Sequence, residues 1–236
     1  MAFSFSPRAV TNGLILSLDA ANTRSYPGSG TAWTDLSRSG INGTLTNGPT
    51  FNTANGGNIV LDGTDDYVNC GNSSTLPVNS GSICAWVKTS TPGSSFRGII
   101  TKQGNYGLFT DSGVLVTYDW GNGQTRSTGV NIANGSWQNV VLTFTNNVGT
   151  PSNNALVYLN GSLRLTTTIK VQTNIENLEL GRGGSSGGGP GIQQLNGSIA
   201  AASVYSTILT ATEVLQNYNS LKTRFGLWVL YQEDLT

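Results

Sequence analysis

The chain has 236 residues, 37% hydrophobic and only 10% charged, and its twelve basic and twelve acidic side chains cancel. That balance excludes a broad electrostatic attraction to nucleic acid or anionic membranes, and the absence of any histidine removes the usual general base, pH switch and zinc ligand together. No apolar run approaches the roughly 20 residues of a membrane-spanning helix, and Met1 to Pro7 lacks the basic start and apolar centre of a secretory signal, so neither is expected.

Read in chain order, residues 1–11 form an N-terminal arm, and short strand-like runs follow. These are Leu14 to Leu18, Asn58 to Leu61, Asp66 to Cys70, Ser82 to Val87, Gly98 to Thr101, Val114 to Tyr118, Val140 to Phe144, Leu156 to Leu159, Leu178 to Leu180, and Ser198 onward to Tyr205. Asn-Gly pairs at 12–13, 42–43, 47–48, 55–56, 122–123, 134–135, 160–161 and 196–197 read as hairpin turns, because both residues tolerate positive φ. Ten or more such strands close most naturally as two packed sheets, and all-β sandwiches of this length form single domains. Within Trp137 to Phe144, alternation puts Val140, Leu142 and Phe144 on the core face and Asn139, Val141 and Thr143 on the other.

The glycine-rich stretch from Gly181 to Gly191 lies between strand-like segments, with about 45 residues after it, too few for an independent fold. It reads as a loop within one domain. Thr210-Ala-Thr-Glu213 fits a capping box and starts a helix of about three turns. Val214, Leu215, Tyr218 and Leu221 fall on its apolar face, and Gly226 ends it. Cys70 and Cys84 read as buried free thiols, with a single bridge as the alternative.

Taken together, Leu61-Asp-Gly-Thr-Asp-Asp-Tyr-Val68, Ile83 to Val87, Trp137 to Phe144, Val157-Tyr-Leu-Asn-Gly161 and Asn196-Gly-Ser-Ile199 resemble the successive signatures of laminin-G-like, concanavalin A-like jelly rolls. The resemblance covers roughly residues 12–227 and implies an all-β sandwich of two antiparallel sheets with one short C-terminal helix. A narrower resemblance, carried by Gly13 to Asn22, Ser25 to Gly30, Trp33 to Ser37, Asn42 to Pro49, Thr212 to Asn219 and Arg224 to Leu227, is to bacteriophage virion structural proteins with this domain. It implies a non-enzymatic virion component, a capsid decoration or a tail or fibre appendage on the particle surface. Its partners would be other virion proteins and further copies of itself. The alternative is a carbohydrate-binding module for a host surface polysaccharide. The family's Asp after Gly-x-Ile is replaced here by Ala200.

No cofactor is expected. The resemblance implies calcium binding, in pentraxin-like relatives, by acidic residues in the loop after Leu180-Gly181, which here reads Arg182-Gly-Gly-Ser-Ser without a carboxylate, and Asp62, Asp65 and Asp66 suit turn capping better than the six to eight oxygens calcium takes. A structural calcium is therefore not favoured. Glycoside hydrolysis needs two carboxyl groups about 5 to 9.5 Å apart, and Glu176 and Glu179 are spaced to point to opposite faces of a strand. Sugar binding is better served by Tyr118, Asp119, Trp120, Asn122, Gln124 and Arg126, where an aromatic face meets amides and charges; covering the sandwich is the alternative role for Tyr118 and Trp120. Trp86 and Trp137 read as structural. Residues 228–236 form a tail in which Trp228, Val229, Leu230 and Tyr231 make an apolar group needing cover, either a neighbouring subunit or the chain's own sandwich.

Overall fold

The computed structural model describes residues 7–145, 152–172, 175–184 and 193–227. In chain order the strands are β1 (Leu14–Asp19), β2 (Ala32–Trp33), β3 (Gly43–Thr46), β4 (Thr50–Asn52), β5 (Asn58–Asp62), β6 (Tyr67–Asn69), β7 (Ser80–Lys88) and β8 (Phe96–Lys102). There follow β9 (Tyr106–Asp111), β10 (Val114–Asp119), β11 (Gln124–Asn131), β12 (Trp137–Thr145), β13 (Ala155–Leu159), β14 (Ser162–Thr167), β15 (Leu178–Leu180) and β16 (Asn196–Tyr205), then helix α1 (Ala211–Leu221). Two eight-stranded antiparallel sheets result. The first runs β14-β13-β12-β7-β16-β5-β4, with β1 also on β16, and the second runs β11-β10-β9-β8-β15-β6-β3-β2. This is the two-sheet, one-helix sandwich expected from the sequence.

The main core lies between the sheets, and Val140, Leu142 and Phe144 on β12 point into it as alternation requires. The opposite face of β12 is also covered. Val141 joins Cys84, Tyr158, Tyr205, Leu209, Val214 and Val10 in a second apolar cluster beneath α1. Trp86 and Trp137 are buried on that same outer face rather than between the sheets, Trp86 stacked on Phe225 at a ring distance of 4.3 Å and Trp137 tilted against it at 4.8 Å. The indole N–H of Trp137 donates to Asn55 Oδ1 at 3.0 Å, so a buried polar tip is satisfied.

The capping box forms in both directions: Glu213 N–H donates to Thr210 Oγ1, and Thr210 N–H donates to Glu213 Oε2 at 2.8 Å. The apolar face of α1 differs from the expectation in one place. Leu215 is exposed, and Asn217 is buried instead. Asn217 accepts the Val10 N–H at 2.8 Å and donates to the Tyr205 hydroxyl at 3.1 Å, which clamps the end of the N-terminal arm against the helix. Gly226 adopts the left-handed conformation after a 3₁₀ turn, Lys222–Phe225.

Asn160 and Gly161 both take positive φ between β13 and β14, as a tight hairpin turn demands. Gly43 instead opens β3 and Asn196-Gly197 opens β16, where close packing selects the glycine. A Cβ on Gly43 would meet Val68, and one on Gly197 the carbonyl of Lys88. Cys70 sits in the inter-sheet core and Cys84 in the outer cluster, both as free thiols. Burial pushes each up to about 12, so neither is a nucleophile at neutral pH. Among the described residues no helix is long and apolar enough to cross a membrane.

Candidate functional site

The outer face of the second sheet carries an aromatic cluster assembled from three adjacent strands. Tyr118 lies on β10 and Trp120 two positions further on, so both rings emerge on one side, 5.4 Å apart. Phe109 on β9 lies 5.9 Å from Trp120, and Phe96 on β8 lies 5.7 Å from Phe109 and 5.8 Å from Tyr118. The four contacts close a ring of edge-to-face and tilted pairs, the arrangement that aromatic quadrupoles favour. Gly107 makes room for it: a Cβ there would stand 2.8 Å from the Phe109 ring and 3.1 Å from that of Trp120.

Opposite the rings, Gln103, Gly183 and Gln193 complete a hollow of about 320 Å³. Gly98 allows the chain around Arg182 to lie directly on β8, since any Cβ would collide with the Arg182 carbonyl. The Gly98 N–H donates to Gln193 O at 3.0 Å and Thr101 Oγ1 donates to Arg182 O at 2.6 Å. An ion pair holds this wall from below: Arg182 grips the fully buried Glu179 through two nitrogens and covers the Tyr67 ring at 3.7 Å. Phe96, Gln103, Phe109 and Gln193 were not candidates from the sequence, because they reach the hollow only through strand pairing and the return of the chain after β15.

Of the residues singled out in the sequence, Tyr118 and Trp120 line the hollow and are partly exposed. Asp119 does not: it alternates inward, is fully buried, and works as an anchor. Its Oδ2 accepts from Asn122 at 2.9 Å and Arg126 at 2.8 Å, and its Oδ1 from the Lys170 N–H at 2.9 Å. Burial pushes the carboxyl up, but the bonds from Asn122, Lys170 and Arg126 and the guanidinium charge outweigh it, leaving Asp119 below its ordinary value. Asn122 and Arg126 thus brace the turn that presents Trp120. Gln124 is exposed at the start of β11. Trp228, Val229, Leu230 and Tyr231 lie outside the described residues.

The carboxylates of Asp62, Asp65 and Asp66 come within 4.8 Å of one another. Two of them serve the turn: Asp62 Oδ1 accepts from Thr64 N–H at 2.7 Å, and Asp66 Oδ2 from Asp62 N–H at 3.1 Å. The Thr64 N–H holds Asp62 low, whereas burial and then the neighbouring acids raise Asp66. Backbone amides thus occupy carboxylate oxygens of Asp62 and Asp66, the turn-capping role expected from the sequence. Excess chelator is accordingly expected to leave the melting temperature unchanged, and a fall of more than ~5 °C, about 1 to 2 kcal/mol for a domain this size, would contradict this. The expected strand placement of both Glu176 and Glu179 is corrected: β15 begins at Leu178, so only Glu179 lies on a strand.

No curated protein matches the sequence. Among solved structures, the chain is similar to the binding domain of Paraclostridial Mosquitocidal Protein 1, with 14% identity, a TM-score of 0.64, and coverage of 88% of this chain and 52% of that one. It is also similar to a Trypanosoma rangeli sialidase in complex with sialic acid (15%, TM-score 0.68, 94% and 36%) and to the botulinum neurotoxin serotype D binding domain (20%, TM-score 0.60, 89% and 52%). The chain thus spans about half the length of the toxin structures and about a third of the sialidase. At these identities the likeness establishes the fold alone, a jelly-roll sandwich. The family model described as the Concanavalin A-like lectin/glucanases superfamily matches residues 62–215. That match spans more than half of the sequence, and the chain belongs to the concanavalin A-like lectin/glucanase superfamily.

Proposed function

We propose that this chain is a non-catalytic carbohydrate-binding domain that seats a sugar ring against Trp120 and Tyr118. The aromatic hollow on the second sheet carries the reading. An apolar sugar face stacks on an aromatic ring while its hydroxyls pair with amides, and here Gln103 and Gln193 line the same hollow as the rings. Hydrolysis would need a second pair of properties, an acid and a nucleophile or base flanking the bond. Asp119 and Glu179, the buried carboxylates next to this face, are each tied to an arginine. Affinity electrophoresis through gels containing host-type polysaccharides tests the reading, with reducing-end release measured in parallel. Retardation without release is expected. Migration unaffected by every polysaccharide would overturn it, and sugar release would overturn its non-catalytic part.

We further propose that the domain operates on the surface of a virion, in a head, tail or fibre, beside other virion proteins or copies of itself. The support is the sequence resemblance of residues 13–49 and 212–227 to phage structural proteins and the apolar Trp228 to Tyr231 tail, which an adjacent subunit would cover. Deleting residues 228–236 is expected to leave the melting temperature within ~2 °C, an effect below about 1 kcal/mol, while abolishing oligomer formation or incorporation into particles. A large fall in melting temperature would assign the tail to the chain's own sandwich instead.

A further inference from the structure

The composition of the hollow discriminates by charge. Its walls offer aromatic faces, two carboxamides and a glycine, with no carboxylate, ammonium or guanidinium among the described residues that line it. The nearby guanidiniums are committed elsewhere. Arg126 holds Asp119, and Arg182 holds Glu179, both carboxylates having fully buried side chains. Turning either arginine toward an incoming anion would strip a buried carboxylate of its counter-charge, which is strongly unfavourable.

The remaining charges do not supply a substitute. Arg97 alternates away from Phe96 and lies against Gly93, and Lys170 runs its aliphatic stem past Gly121 outside the lining. Beyond the paired Arg182 and Glu179, the face carries a negative charge: Asp111 stands opposite Phe96 across the β8–β9 ladder, two positions beyond Phe109. It repels an approaching anion. A carboxylated sugar entering the hollow would give up hydration without gaining a charged partner.

We infer that the site selects uncharged pyranose glycans and rejects sialylated or uronic-acid-containing ones. This rests on the carbohydrate-binding reading and specifies the ligand class within it. The decisive probe is an array of matched glycans, each neutral core printed with and without a terminal sialic acid or glucuronate, exposed to the wild type, Trp120→Ala and Gln103→Lys. The wild type is expected to bind neutral cores at least ~30-fold more tightly than their acidic counterparts, Trp120→Ala to lose that binding, and Gln103→Lys to raise binding of the acidic set by about 10-fold. Acidic glycans bound as tightly as neutral ones, through Trp120, would overturn the charge selection and leave the carbohydrate reading standing. An array with no bound glycan, or with binding indifferent to Trp120, would overturn both.

Discussion

Replacing Asp119 by alanine is expected to cost about 3 kcal/mol of folding stability and to remove sugar binding at the same time. The side chain is fully buried and joins three separate segments: Arg126 on β11, Asn122 in the hairpin, and the Lys170 backbone. Removing it leaves the Arg126 guanidinium without its partner and the part-buried Lys170 N–H without an acceptor. Arg126 keeps a quarter of its side chain exposed, so solvent recovers part of the loss, and the estimate lies at the lower end for a broken buried pair. Trp120 is the next residue in the chain and loses its bracing. The acid limb of the stability curve provides an independent check. Because the folded-state carboxyl is held low, its contribution is complete above the unfolded value of about 3.9 and disappears as pH falls through the folded value. Asp119→Asn should therefore be less stable than the wild type at neutral pH and flatter below about pH 4. Equal stability of the two proteins at pH 7 would show that the anchor is dispensable.

Trp120→Ala is the complementary variant. Trp120 is partly exposed and contacts Phe109 and Tyr118, so its loss removes two aromatic contacts worth about 0.5 to 1.5 kcal/mol each without opening the inter-sheet core. Thermal unfolding should remain cooperative with a modest drop. Sugar affinity should fall by about 30-fold or more, equivalent to about 2 kcal/mol. Asp119→Ala weakens fold and binding together, whereas Trp120→Ala weakens chiefly binding. A cooperative loss of stability in Trp120→Ala as large as that of Asp119→Ala would make Trp120 a structural residue.

The parts of the fold legible from sequence are those whose signals are local. Strands with one face in the inter-sheet core and β-branched residues, such as β12 and β13, announce themselves, and the α1 capping box is contained in four residues. Strands β2, β3, β4, β9, β11 and β14 carry no pattern that marks them as strands. The edge strand β11 reads Gln-Thr-Arg-Ser-Thr-Gly-Val-Asn with weak alternation because its side chains are half or fully exposed. Strand β9 has nearly all of its residues buried, which erases alternation in the opposite way. The aromatic hollow was visible only in its Tyr118 and Trp120 half. Phe96 and Phe109 join it through the consecutive β8–β9 and β9–β10 pairings, whose register goes unmarked because β9 shows no alternation. The inward turn of Asp119, by contrast, was available from alternation, since a residue between two rings on one face must point to the other. Asn217 escaped notice because a polar residue on an apolar helix face gives no hint of the backbone N–H it receives from Val10.

Stacking of a sugar on the outer aromatic face of the second sheet would be read out at the indole N–H resonances. The chain has five tryptophans, of which Trp33, Trp86 and Trp137 are buried away from the hollow. Titrating a bound neutral oligosaccharide into ¹⁵N-labelled protein should shift the Trp120 indole signal progressively and leave those of Trp33, Trp86 and Trp137 in place. Saturable binding that leaves Trp120 unmoved, or that shifts Trp86 and Trp137 beneath the C-terminal helix instead, would contradict the account.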